Sequence, residues 1–580
     1  MTTLKRSLLV GACAIGAMTV VAGTANAGTV KVYGGGSSLI SVYMQQAFNC
    51  YGQINPLIIR TPLQLETLNN FNYVGTKGTP QDCSSQHVQG TASLHYDTAG
   101  SGVGIAGVFS HDPSSDFPNG YGDIDPNTPG EQDMPSISFG MSDAGLSSSD
   151  VGVWNLGNDN NGPTNACSTP EQGVCVVAPG ETPNPPTTFA NPLQTRGALV
   201  QFPISVDPVA FVYYPTYKKV DDGAGHVTSY NFNIKFAHSD GSGGLRLDRN
   251  AYCVIFNGYR EGNPITNWND SRLKTLNGNK SLADPSDPDK ASFSVPLQIA
   301  GRSDSSGTTS IFTRHLAAVC GVNGINDPNN DYTTGATTLP VDLRGGTFDG
   351  TTATNVVLGK FTLANGSGNL AKYVAFTANP SSGGTLVQGN IAYIGADFAL
   401  PASIVNGNGL GLNSADLKNS SGKFEAATGA NAATAFGSLA PPESDAHGHY
   451  QALGTCPGSG RCRAHPYDWV EGLAPTSVLA DPSSAKAYPV VGTTNVLLYT
   501  CYANSKISDL IKKYFTWYVK NTTVQEIPDG LLVKNGLSSL PTPWRTAITE
   551  TFLHTNVNTA PLGLEIEASG TGVCTGVTGG

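Results

Sequence analysis

The sequence predicts an α/β protein with largely parallel sheets, folded as two lobes. Apolar β-like runs alternate with helical patterns along most of the chain. Several of these alternations share one junction, in which a β-run meets glycines and serines and then an apolar helix. Two long apolar strands, Leu199–Tyr214 and Val490–Tyr499, bracket a middle block. That layout builds one lobe from both chain ends and the other from the middle, and such lobes close on a ligand like a hinge. The boundaries expected are 28–205 with 488–580 for the first lobe and 206–487 for the second. A chain of 580 residues exceeds what one core accommodates.

Lys5 and Arg6, the apolar run Leu8–Gly23 and Ala25-Asn26-Ala27 read as a cleaved secretory leader over 1–27, ending before Gly28. The competing lipoprotein-like box at Val10–Cys13 would leave too short an apolar region. The run is too short to span a membrane, and no later stretch is a candidate. Of the 11 cysteines, all but Cys13 remain after cleavage, an even number suited to an oxidising compartment. Proximity suggests the pairs Cys50–Cys83, Cys167–Cys175, Cys253–Cys320, Cys456–Cys462 and Cys501–Cys574, although spacing alone does not fix connectivity. No CxxC pair is present, which argues against a zinc ribbon or thioredoxin-like site. The formal net charge of −11 and the lack of a Lys/Arg run argue against nucleic acid as a partner. With 69 Gly, 37 Pro and only 13% charged residues, the composition suits a secreted, loop-rich protein.

In chain order, Thr29–Tyr33 is a β-segment, Gly34–Ser38 a turn, and Leu39, Val42, Tyr43, Gln46, Ala47 and Phe48 mark a helix. This is no P-loop, since no Lys follows the glycines. Ala92–Tyr96, the turn Thr98–Gly102 and the apolar Val103–Phe109 repeat the layout. Ile137–Met141 is a short strand that delivers Asp143, with a helix cap at Ser147–Asp150. Residues 111–134 read as a surface loop and 157–192 as an insertion closed by Cys167 and Cys175. Leu199–Tyr214 is a buried strand, 221–244 is polar, and Leu247–Gly258 is a helix. Within the polar stretch, Ser239–Gly243 mimics the central motif below but lacks its Arg and its Thr pair. Val295–Ala300 is a strand, 321–372 a β-rich or looped insertion, and Ile391–Phe398 another buried strand. Residues 406–460 are Ala/Gly/Ser-rich. Val490–Tyr499 is a strand, and Ile507–Val519 and Trp544–Phe552 are helices.

The chain is organised around Gly301–Phe312, GRSDSSGTTSIF. Arg302 supplies a permanently charged planar fork that Asp304 can hold in place. Ser306 and Thr308 fall where N-cap hydroxyls and unpaired backbone N–H groups collect, at the start of a helix carried by Ile311, Phe312, Leu316 and Val319. A helix N-terminus of this kind favours an anion. The Gly34–Leu39 and Thr98–Gly102 junctions offer the same chemistry.

Taken together, GGGSSL (34–39), TAGSGVG (98–104), FGMSDAGL (139–146), ITNWND (265–270) and GRSDSSGTT (301–309) resemble, in this order, the phosphate-binding proteins of phosphate-specific ABC transporters. The stretch 302–320 together with Tyr252–Gly258 is similar to the DING-type branch, although Gly28–Lys31 departs from its N-terminal signature. The resemblance covers both ends and the middle of the chain and fails near 111–134, 157–192 and 321–372. It implies a two-lobed type II periplasmic-binding-protein fold with a hinged cleft and long loop insertions, and inorganic phosphate clamped between the lobes. Carried over, Ser38 and Ser101 donate hydroxyls and Leu39 a backbone N–H where the family often has an aromatic residue. Asp143 accepts from a protonated phosphate oxygen, Arg302, Ser306, Gly307 and Thr308 complete the cage, and Asp304 orients Arg302. A Cys253–Cys320 disulfide is also implied. The expected protein is periplasmic or secreted, monomeric, free of cofactors, and a possible partner of an ABC permease.

The rival readings are a secreted phosphatase of the same superfamily and a structural or adhesive surface protein. Against the first, no G-x-S-x-G elbow and no cluster of metal ligands activates a serine or a water. His447 and His449 flank Gly448 in a loop, which is too little for a metal site.

Overall fold

The computed structural model describes residues 29–52, 89–111, 137–156, 192–220, 227–239, 243–260, 262–320, 332–375, 390–399, 410–437, 439–442, 461–470, 477–520, 527–553 and 564–580. The expected leader, the loop near 111–134, Cys83, the Cys167–Cys175 loop, Cys456 and the His447/His449 pair lie outside them. In order, the strands are β1 (Val30–Gly36), β2 (Ala92–Asp97), β3 (Phe139–Ser142), β4 (Leu199–Tyr213), β5 (Thr216–Val220), β6 (Val227–Asn231), β7 (Leu245–Leu247), β8 (Gln298–Arg302) and β9 (Arg344–Phe348). They continue as β10 (Ala353–Thr354), β11 (Phe361–Ala364), β12 (Asn390–Gly395), β13 (Asn413–Lys418), β14 (Phe424–Glu425), β15 (Val491–Tyr499), β16 (Cys501–Tyr502) and β17 (Glu567–Ala568).

The main sheet runs β10-β9-β11-β8-β12-β4-β15-β3-β1-β2. Its two flanks are parallel, β3-β1-β2 on one side and β9-β11-β8-β12 on the other. The centre is not, because β15 runs antiparallel to β3 and β4, and β4 antiparallel to β12. The largely parallel sheet expected from alternation therefore holds for the flanks alone. Chain direction reverses where the middle block is entered and left, and no periodicity registers that.

β4 links the two flanks. All fifteen of its residues are buried, as expected of a near-continuous apolar run covered on both faces. Leu199–Pro208 pairs with β15, and Val209–Tyr213 pairs with β12. Both prolines fall where a ladder donor is not required. The β15 register shifts between Thr494 and Asn495, opposite Ser205 and Pro203, and Pro208 is the last residue before the change of partner.

The helices start where short polar side chains precede apolar periodicity. Asp248 caps Arg249–Asn257 by accepting from the Ala251 N–H, and Ser306 caps Gly307–Val319 through the Thr309 N–H. Ser147 and Asp150 bond reciprocally ahead of Ser148–Leu156, as a capping box does. Behind the Gly307–Val319 helix, Phe312 stacks on Tyr393 of β12 with ring centroids 3.9 Å apart and meets Phe211 and Phe256 edge-on. Cys253 and Cys320 are disulfide-bonded, tying the Arg249–Asn257 helix to the C-terminal end of the Gly307–Val319 helix. Cys501 and Cys574 close the tail onto β16. Cys50 and Cys462 are also disulfide-bonded.

One expectation needs correction. The described part of 321–372 is β-rich but no insertion: β9, β10 and β11 lie in the main sheet, with β11 paired directly to β8. The polar stretch 221–244 contains β6, which pairs with β5 in a hairpin. The Ala/Gly-rich stretch 406–460 holds β13, β14 and the helix Gly429–Phe436, whose small side chains give little periodic signal. A further helix, Ile527–Lys534, was not anticipated. Among the described residues, no helix is long and apolar enough to cross a membrane.

Replacing Cys253 and Cys320 together by alanine should destabilise the fold by about 2–4 kcal/mol, because the unfolded chain regains a long loop. Denaturant unfolding measures this, and an unchanged midpoint would show that the crosslink constrains nothing.

Candidate functional site

The parallel strands of both flanks end in Gly- and Ser-rich turns that meet one another. β1 ends at Gly36, which leads through Ser37 and Ser38 to the helix Ser41–Tyr51. β2 leads through Gly100 to the helix Ser101–Ser110, and β3 delivers Asp143. From the other flank, β8 ends at Arg302 and precedes the helix Gly307–Val319, while β11 precedes the helix Gly366–Ala375. Neither Ile40 nor Gly100, the N-cap residues of the first two helices, makes a side-chain capping bond. Their N-terminal N–H groups are thus left to other partners. Gly100 has φ 98°, a conformation that favours glycine, and it donates to Gly36 O at 2.7 Å. The two flanks touch directly here, where the Gly102 N–H donates to Ser305 O at 3.2 Å.

Arg302 is the buried cation of the site. Its Nε donates to Asp304 Oδ1 at 2.7 Å, and its Nη2 donates to Asp304 Oδ2. The Gly366 N–H adds a third bond to Asp304 Oδ1 at 3.0 Å. Burial works against both charges, yet mutual attraction and these bonds outweigh it. The Asp304 carboxyl is held below its usual range and the Arg302 guanidinium above. The fork is thereby locked with Nη1 facing the cleft. There Nη1 donates to Ser38 Oγ at 3.0 Å and to Ser367 Oγ at 2.8 Å, and the two hydroxyls are 2.7 Å apart.

Asp143 is the buried anion on the other side. Ser37 Oγ donates to its Oδ1, and Thr494 Oγ lies 2.7 Å from the same oxygen. Ser101 Oγ and Thr308 Oγ each lie 3.4 Å from Oδ2. Burial pushes the Asp143 carboxyl above its usual range, against the pull of the Ser37 and Thr494 hydroxyls, Arg302 and Ser101. Gly307 leaves no room for a side chain, since a Cβ there would lie 2.5 Å from Ser101 Oγ and 2.6 Å from Asp143 Cβ.

Ser38, Ser101, Asp143, Arg302, Asp304, Gly307 and Thr308 thus gather in one place. The other two sequence candidates sit beside them. The Leu39 N–H donates to Ser37 Oγ at 3.1 Å, and Ser306 Oγ accepts from the Thr309 N–H at 3.3 Å, which leaves its own proton free to donate. Sequence reasoning missed Ser37, Ser367 and Thr494. Ser367 was legible in FTLANGSGNL (361–370), a further strand–Gly/Ser–helix junction passed over because the region read as insertion. Thr494 was signalled by the polar run Thr493–Asn495 inside an otherwise apolar strand.

This geometry defines a class, a solute-binding α/β protein whose ligand site lies at the C-terminal ends of parallel strands from two flanks. A model for the PBP superfamily domain matches residues 189–455. A phosphate-binding protein from an unknown prokaryotic organism is 30% identical over 308 residues, which cover 51% of this chain and 67% of that protein. The chain belongs to this phosphate-binding-protein family of the periplasmic-binding-protein superfamily. Alkaline phosphatase L of Pseudomonas aeruginosa is 27% identical over 281 residues, 48% of this chain, and the chain spans 58% of that relative's length. Among solved structures, a DING protein shares the fold with TM-score 0.51 at 18% identity, covering 94% of this chain and 99% of its own. The ancestral soluble variant of the human phosphate binding protein does so with TM-score 0.50 at 19% identity and the same coverage. The fold is therefore the type II periplasmic-binding-protein fold.

Gly307→Ala should keep the two sides of the cleft apart while changing overall stability by no more than about 1 kcal/mol. Small-angle scattering should then give a larger radius of gyration than wild type, and an identical one would mean that the contact yields without opening.

Proposed function

We propose that this chain binds inorganic phosphate between its lobes for scavenging or uptake outside the cytoplasm. The observation that carries the reading is the pairing, in one buried site, of a locked guanidinium edge with a carboxylate. A ring of hydroxyls from Ser37, Ser38, Ser101, Thr308 and Ser367 surrounds them. A tetrahedral oxyanion matches this set. Serine and threonine hydroxyls that now accept or share bonds can rotate to donate, and the Arg302 edge supplies charge-assisted donors. Asp143 accepts from the proton that phosphate retains. The name of the phosphate-binding relative agrees with this. On this reading the lobes are 28–205 with 488–580 and 206–487, dividing near the change of partner along β4. The chain acts as a monomer and hands its ligand to an ABC permease. Family membership supports an extracytoplasmic location.

A second reading is phosphoryl transfer, favoured by one observation, that the Ser37 hydroxyl donates to a carboxylate of raised pKa. There Ser37 Oγ would attack the phosphorus of a phosphomonoester as Asp143 takes its proton, the ester P–O bond would break, and the leaving alkoxide would depart as an alcohol with that proton. Water, deprotonated by Asp143, would then hydrolyse the phosphoserine and release phosphate. Calorimetry with phosphate and a phosphomonoester turnover assay on one preparation separate the two readings.

Arg302→Ala should weaken phosphate binding by about 2–5 kcal/mol, because Asp304 is left buried without its partner. A loss of less than a few-fold would place the anion elsewhere. Selectivity tests Asp143. Sulfate carries no proton at neutral pH and meets only like charge at Asp143, a difference of roughly 4 kcal/mol or a thousandfold. Asp143→Asn should admit sulfate while changing phosphate affinity less. A wild type that binds the two anions equally in competition would reduce Asp143 to a structural residue.

A further inference from the structure

Behind Asp143 lies a second carboxylate that the phosphate reading does not use. Asp207 of β4 is fully buried, one residue before the end of the β15 pairing. Its Oδ2 is 2.8 Å from Thr494 Oγ, and the same hydroxyl is 2.7 Å from Asp143 Oδ1. Asp207 Oδ1 has no partner of ordinary hydrogen-bond geometry among the described residues.

A hydroxyl carries one proton, so Thr494 can donate to only one of these carboxylates. If both were ionised, two buried negative charges would compete for that single donor, an expensive arrangement. The cost is relieved when one of the pair carries a proton and donates it to Thr494 Oγ. Asp143 is the better placed to stay ionised, since Ser37, Ser101 and Thr308 surround it and Arg302 is near. Asp207 has the Ser205 hydroxyl and the Thr494 N–H and hydroxyl beside it, but no neighbouring cation, and it faces the Asp143 charge.

We propose that Asp207 is a positioning residue for the ligand: its carboxyl proton donates to Thr494, Thr494 donates to Asp143 Oδ1, and Asp143 is kept ionised with Oδ2 left for the anion. This rests on the phosphate reading of the site. The titratable or charged groups facing the pair are Asp397 beyond β12, Tyr518 of the Ser505–Lys520 helix, and Arg302. Burial pushes the Asp397 carboxyl well above its usual range and the Tyr518 hydroxyl upward, which disfavours a further negative charge on either. Burial, then the Asp143 charge, pushes Asp207 up to about 7. The donor chain is thus present below neutrality and is lost as pH rises through it.

The test is phosphate calorimetry on wild type, Asp207→Asn and Thr494→Val across neutral pH. Phosphate's own ionisation is common to all three, so differences between proteins are read. Asn keeps an N–H donor to Thr494 at every pH. Asp207→Asn should bind within about twofold of wild type near pH 6 but about tenfold tighter near pH 8.5, one pKa unit of coupling. Thr494→Val should bind about tenfold more weakly than wild type near pH 6. An Asp207→Asn variant that tracks wild type at both pH values overturns the proposal. Infrared spectroscopy without ligand supplies an independent arm. The carbonyl band of a protonated carboxylic acid should be present in wild type near pH 6 and reduced in Asp207→Asn. No phosphate heat from wild type would overturn the phosphate reading; equal bands in the two proteins would overturn the donor chain itself.

Discussion

The site depends first on the burial of one positive charge. Taking a guanidinium out of water costs several kcal/mol unless an anion and further hydrogen bonds compensate it. Asp304 meets that demand with two bonds to Arg302, and the Gly366 N–H completes the carboxylate. The requirement shapes its neighbourhood. β11 must lie beside β8 so that Gly366 reaches Asp304, and the same placement brings Ser367 to Nη1. One ion pair therefore fixes the direction of the fork, the position of the Gly366–Ala375 helix and the hydroxyls that face a ligand.

The second constraint is how the flanks are joined. β4 and β15 belong to the centre of the sheet, and β4 changes partner after Pro208. Strands buried on both faces are expected to be apolar, yet Asp207, Thr493, Thr494 and Asn495 are buried here. Such polar groups are costly unless satisfied, and departures from local rules concentrate at functional sites. Their placement directly behind Asp143 couples the junction between the flanks to the carboxylate that faces the cleft. A change in protonation at the junction is felt at the ligand site with no need for a long path.

Within the frame of the phosphate-binding-protein family and the type II fold, two features shape the carboxylate side of the site. One is the carboxylate pair bridged by Thr494. The other is Leu39, whose N–H bonds to Ser37 Oγ, so the first turn closes on itself beside Asp143.

Much of this was legible in the amino-acid sequence. Helix starts, buried strands and the strand–Gly/Ser–helix junctions follow from side-chain periodicity and from the few residue types that tolerate tight turns, and both are local properties. Arg302 and Asp304 could be paired from their spacing because a two-residue separation after a strand brings the charges together whatever surrounds them. The rest required the folded chain. Ser367 lies 329 residues from Ser38, and Thr494 lies 351 from Asp143. No sequence pattern links partners that far apart. The antiparallel centre of the sheet, the inclusion of 344–364 in the main sheet and the meeting of Asp207 with Asp143 arise from where the chain crosses between flanks. Register across the sheet decides that, and local periodicity carries no information about it.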